Sequence, residues 1–186
     1  MNKEIKELHP HFESVVYTED QIEKRIKELA LWVDETYKDS KELVIVGLLK
    51  GCLPFLAQLI KNVNTDHAID FMIASSYEGA DKSSGSVKII LDLKTDIFQK
   101  DVLIVEDIVE SGITLNKVMD LLKSRQPKSI KILTLVDKPN FRKQAIVPDK
   151  SGFVLDKKLF LVGYGLDYKE KYRNVPYIGV FNKKYL

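Results

Sequence analysis

Three short runs along the chain are strongly apolar and rich in β-branched residues: LVIVGLL at 43–49, VLIV at 102–105 and IKILTLV at 130–136. Such runs predict central strands of a sheet that is covered on both faces. Residues 68–74 and 87–91 follow as further strand candidates. Helical periodicity fills the gaps. Thr18-Glu19-Asp20-Gln21 has the form of a capping box, and Ile22, Ile26, Leu29, Ala30 and Val33 then recur on one face, predicting an amphipathic helix over 19–37. Residues 54–60, with Pro54 near the first turn, and 115–123, with Leu115, Val118, Met119 and Leu122 on one face, predict two more helices.

Strands alternating with helices predict an α/β fold, a central parallel, doubly wound sheet flanked by helices with right-handed crossovers. Ligands of such sheets bind beyond the carboxyl ends of the strands, which directs attention to the segments starting at 50, 75, 106 and 137. The polar stretch SSYEGADKSSGS at 75–86 predicts a mobile loop, and a second compact region is expected after Pro148. Without repeats or a linker-like segment, 1–186 is expected to form a single domain.

Composition narrows the picture further. A chain of 186 residues with 45% apolar and 30% charged side chains has the profile of an ordinary globular protein. The excess of 29 Lys+Arg over 27 Asp+Glu is too small for the general field of a nucleic-acid coat, so no nucleic-acid partner is expected. Cys52 stands alone, which excludes an intrachain disulfide, and His9, His11 and His67 are too scattered for a zinc site. No run approaches the roughly 18 apolar residues of a membrane span, and the charged first 20 residues lack the apolar region of a signal peptide. A cytoplasmic protein without membrane association is expected.

The densest chemistry lies in VLIVEDIVESGITL at 102–115, an apolar strand followed by three carboxylates and two hydroxyls around one glycine. Ser111-Gly112-Ile113-Thr114 at the start of a helix offers backbone N–H groups and hydroxyls to a phosphate, although Ser111 and Thr114 also suit simple helix capping. Glu106 and Asp107, read as directly following the strand, suit a sugar diol or a magnesium ion, or else a solvated loop. The stretch does not fit GxxxxGK[ST], and Gly163-Tyr164-Gly165 is followed by tyrosine rather than glycine at 168, so neither common nucleotide motif applies.

VLIVEDIVESGITL resembles the phosphoribosyl pyrophosphate signature of the purine phosphoribosyltransferases, and nearly the whole chain is similar to members acting on hypoxanthine and guanine. The resemblance implies a type I phosphoribosyltransferase fold, with a small hood formed by N- and C-terminal segments. It implies that Leu49-Lys50-Gly51 presents backbone N–H groups to pyrophosphate through a cis peptide between its first two residues. Ser76-Tyr77 would close over the reacting centre. Lys138, in VDKP, would contact the exocyclic oxygen of the purine. Within LFLVGYGLDYKEKYRNVPYIGV, Phe160 would stack on the base, Leu161 would read its edge through the backbone, Asp167 would hold magnesium and Arg173 would reach pyrophosphate.

The same resemblance separates the acids from the phosphate. Glu106 and Asp107 would engage the ribose hydroxyls and, with Asp167, Mg2+; Ile108 and Val109 would lead into the Glu110, Ser111, Gly112, Ile113 and Thr114 loop that wraps the 5′-phosphate. Glu110 stands where most relatives carry Asp, the candidate acid/base at purine N7. The implied activity is transfer of 5-phosphoribosyl from phosphoribosyl pyrophosphate to N9 of a 6-oxopurine, hypoxanthine or guanine, by a homodimer or homotetramer. The alternative is a regulator on the same fold that binds RNA or DNA, which a clustered basic face would reveal.

Overall fold

The computed structural model describes residues 8–76 and 87–185. In chain order these form β1 (Phe12–Tyr17), α1 (Glu19–Tyr37), β2 (Leu43–Leu48), α2 (Leu53–Ile60), β3 (His67–Ser76), β4 (Val87–Leu91), β5 (Asp101–Val109), α3 (Ile113–Lys123), β6 (Ser129–Asp137), β7 (Lys150–Val154), β8 (Leu161–Val162) and β9 (Ile178–Phe181). Helix α1 begins where the capping box places it, with the Thr18 hydroxyl accepting from Gln21 N–H and the Gln21 side chain accepting from Thr18 N–H.

Six strands form one sheet in the order β4-β3-β2-β5-β6-β7, parallel except for β4 against β3. Alternate side chains of the central strands enter two separate cores, as the two-residue period of a strand requires. Ile45, Leu103 and Leu133 pack with α1 and α2, whereas Val46, Ile104 and Ile132 pack with α3. Helices thus cover both faces. The chain moves from β2 outward to β3 and later returns on the other side of β2 as β5. The carboxyl ends of β2 and β5 therefore bound a crevice at a switch in winding direction, where open α/β sheets bind ligands.

A second sheet, β1-β9-β8, joins the two ends of the chain into a hood. Phe12, Val162, Val175, Tyr177 and Phe181 form its small core. The region after Pro148 was expected to be one compact unit, but it divides. Residues Lys150–Val154 extend the main sheet beside β6, and the later strands build the hood. Pairing across the sheet decides this, because β7 satisfies the open edge of β6. Among the described residues no helix is long and apolar enough to cross a membrane.

Candidate active site

Strand β5 continues four residues past the end expected at Val105. Glu106 pairs with Thr134, Ile108 with Val136 and Val109 with Asp137, so the parallel ladder with β6 carries the acids inside the strand rather than after it. Successive strand residues point to opposite faces, which sends Glu106 and Asp107 to different neighbours. Glu106 and Ile108 wall a pocket of about 160 Å³ that Glu110, Ser111, Gly112 and Thr114 complete.

Asp107 turns toward the Leu49-Lys50-Gly51 loop, where a Cβ on Gly51 would overlap its carboxylate. Only glycine permits that approach. The Leu49-Lys50 peptide is cis, and Leu49 N–H donates to Met72 O at 2.9 Å. Asp107 Oδ1 accepts from Ile108 N–H at 2.7 Å. Burial in the crevice, reinforced by the Asp107 charge, raises the Glu106 carboxyl well above its ordinary range. Burial also pushes Asp107 up to about 6, with the Ile108 N–H and the Arg173 guanidinium pulling against it.

The pocket floor is the start of α3. Gly112 caps the helix in the left-handed region at φ 74° without a side-chain cap, a conformation glycine adopts freely. The capping reading of Ser111 and Thr114 is therefore not realised; Ser111 Oγ accepts only a long 3.4 Å contact from Ile113 N–H. An 11-residue helix thus aims its N-terminus at the pocket, where its dipole favours an anion.

Lys138, 3% exposed, follows β6 and donates to Glu110 Oε1 at 2.5 Å and to Leu159 O at 3.2 Å. Its ammonium also lies 4.8 Å from the centre of the Phe141 ring. Behind it stands a residue that sequence reading missed. Arg142 donates through Nη1 to Val109 O at 2.5 Å and Glu110 O at 2.7 Å, through Nε to Ile146 O at 3.0 Å, and pairs through Nη2 with Asp137. It ties the pocket rim to the end of β6. No spacing in the sequence distinguishes it from the other cations.

On the hood side, Phe160 is 45% exposed, edge-on to Tyr168 and Phe181, so it is not a core aromatic. Leu161 is buried in β8, opposite Val180. Arg173 donates through Nη1 to Gly165 O at 2.7 Å and pairs through Nη2 with Asp167 at 2.8 Å. Its Nε is buried without a partner among the described residues. Lys50 pairs with Glu170 at 2.8 Å, a hydrogen bond that holds the Glu170 carboxyl below its ordinary range. Tyr77 lies outside the described residues, and Ser76 is described only through its backbone at the end of β3.

The crevice therefore gathers Lys50, Gly51, Asp107, Asp167 and Arg173 on one side and the Glu106 to Thr114 pocket on the other, with Lys138 beside Glu110. Among the described residues no group of three His, Cys, Asp or Glu side chains is poised around a metal position. Magnesium, however, takes one or two carboxylates together with substrate phosphates rather than an all-protein cage. Asp107 and Asp167, whose charge is felt at Asp107, fit that mode as a pair, and Glu106 offers a single carboxylate from the other face of β5.

A model of the phosphoribosyl transferase domain family matches residues 15–169. The chain is 51% identical over 168 residues to the hypoxanthine-guanine phosphoribosyltransferase of Bacillus subtilis, covering 90% of this chain and 92% of that protein. It is 47% identical over 173 residues to the bifunctional protein TilS/HprT of Listeria innocua, covering 93% of this chain and 26% of that protein. A crystal structure of a hypoxanthine phosphoribosyltransferase from Staphylococcus aureus is similar at a TM-score of 0.91 and 44% identity, with 98% of each chain covered.

Proposed function

The chain belongs to the phosphoribosyl transferase domain family, and from that premise we infer that it is a purine-salvage enzyme. It transfers 5-phosphoribosyl from phosphoribosyl pyrophosphate to hypoxanthine or guanine, giving IMP or GMP and pyrophosphate. The observation that carries this reading is the identity of 51% to a hypoxanthine-guanine phosphoribosyltransferase across 90% of the chain.

The crevice suits each part of that reaction. The α3 N-terminus, with Ser111, Gly112, Ile113 and Thr114, holds the 5′-phosphate. Glu106 and Asp107 hold the ribose hydroxyls. The Leu49-Lys50-Gly51 loop and Arg173 hold the departing pyrophosphate, and the buried, unpartnered Arg173 Nε supports an anion there. Carboxylates among Glu106, Asp107 and Asp167, one or two per ion, would hold magnesium, which would supply charge neutralisation to the pyrophosphate.

Phe160 stacks on the base, and the Leu161 backbone reads its edge. An ammonium has three donors, and Lys138 directs two of them to Glu110 and Leu159. The third is left for the 6-oxo group. Adenine presents a donor at that position and is rejected, because two donors cannot satisfy one another. As N9 bonds to the anomeric carbon and the bond to pyrophosphate breaks, positive charge develops on the ribose ring, and Glu110 takes the proton from N7.

One assay tests the reading: phosphoribosyl pyrophosphate and Mg2+ with hypoxanthine, guanine, xanthine and adenine in turn, following nucleotide formation by absorbance. Turnover of hypoxanthine or guanine but not adenine is expected. Failure with both 6-oxopurines overturns it.

A further inference from the structure

Two residues assigned above to pyrophosphate, Arg173 and Lys50 of the backbone loop, have cationic side chains that already carry an anion of the chain's own. Glu170 Oε2 pairs with Lys50 Nζ at 2.8 Å and lies 3.5 Å from Arg173 Nη2, with Oε1 equally far. The backbone holds it in that position. Lys169, Glu170 and Tyr172 all occupy the left-handed region, at φ 49°, 65° and 71°, which side chains of L residues adopt rarely and at a cost in energy. The turn is pinned by Glu170 N–H donating to Asp167 Oδ2 at 2.9 Å and by paired Tyr168 and Lys171 backbone bonds at 3.2 and 3.1 Å. A freely placed surface glutamate would need none of this.

We propose that Glu170 is a built-in competitor for pyrophosphate: its carboxylate occupies Lys50 and Arg173 in the free enzyme and must yield them when the diphosphate binds. The inference rests on the reading above, in which these two residues form the pyrophosphate subsite. Glu170 thereby keeps both cations oriented between turnovers and weakens the hold on the released product. Lys50 and Glu170 are both well exposed, so the competition is modest and sensitive to salt.

The experiment is calorimetric titration of Mg2+ and inorganic pyrophosphate into the parent, Glu170→Gln and Glu35→Gln at low ionic strength. Glu35 pairs with Lys38 on α1, outside the site, and controls for net charge. Glu170→Gln is expected to bind pyrophosphate about two- to fivefold more tightly, the range for an exposed ion pair. The gain should shrink in 0.5 M KCl, fail to appear in Glu35→Gln, and largely vanish when Lys50→Gln is combined with it. Unchanged or weaker binding by a normally folded Glu170→Gln overturns the inference, as does a parent that binds no pyrophosphate. Purine turnover by the parent separates the two readings: turnover with no shift sinks the competitor alone, while the shift without turnover sinks the proposed reaction and leaves Glu170 guarding an anion site.

Discussion

Replacing Arg142 with methionine keeps an unbranched stem as far as the position of Nε and removes every donor. Asp137 then loses its partner in a pair whose side chains are only 10% and 14% exposed, and the carbonyls of Val109, Glu110 and Ile146 lose a shared donor. Breaking a buried ion pair from one side costs about 3–5 kcal/mol, because the remaining charge stays desolvated. With a shift of about 2–4 °C per kcal/mol for a chain of this length, the Tm should fall by roughly 6–20 °C. Urea unfolding measures the loss directly, as a lower midpoint at unchanged slope. Arg142→Lys should recover part of it, since one ammonium reproduces one or two of the fork's bonds. Because Arg142 grips the backbone beneath Glu110, kcat should also fall at temperatures where the variant remains folded. A loss under about 1 kcal/mol in Arg142→Met would refute the reasoning, since the pair would then be solvated.

Glu110→Gln should lower kcat by roughly 10²- to 10⁴-fold while pyrophosphate binding persists, because the amide keeps the shape but cannot take a proton; turnover at the parent rate across pH removes Glu110 from the acid/base role. In metal-free protein, the raised Glu106 and Asp107 carboxyls mean that the native state binds these protons more tightly than the unfolded chain does. Their contribution is intact below the ordinary carboxylate range near about pH 4 and is lost as pH rises through about 6, where Asp107 ionises, and through the raised range of Glu106. Glu106→Gln should flatten that decline and unfold at higher temperature than the parent at pH 8; Tm curves in EDTA from pH 4 to 9 that run parallel for the two proteins would contradict it.

Local patterns made much of the central architecture readable. The capping box and the 3.6-residue spacing placed α1 at Glu19–Tyr37, and the apolar runs placed β2, β5 and β6 in the middle of the sheet. The end of β5 was hidden because polar Glu106 and Asp107 remain in the strand only through pairing with β6, which is information from another part of the chain. The hood was hard to read for a similar reason. Its β8 is two residues long and acquires its edge from β9. In the site, the residues of the signature and Lys138 lie in contiguous, patterned segments, whereas Arg142 acts through backbone carbonyls that three-dimensional folding brings to it. A guanidinium bonded to main-chain oxygens leaves no partner pattern in the sequence.

The union of both chain ends in one sheet bears on the order of folding. His9 N–H donates to the Tyr177 hydroxyl 168 positions away, and β1 lies against β9. Contacts across so much chain carry a large loop-closure entropy until the segments between them are ordered. The parallel core, whose helices join nearer segments, is therefore expected to condense first and the hood to close onto it. Native-state hydrogen exchange would expose the reverse order as greater protection in β9 than in β5. A partly folded chain would then have the α3 N-terminus, the proposed phosphate cradle, in place before the Phe160 face. On this order the surface proposed to stack on the base is the last part of the site to be acquired and the first to be surrendered, after Lys138 is already in place beside β6.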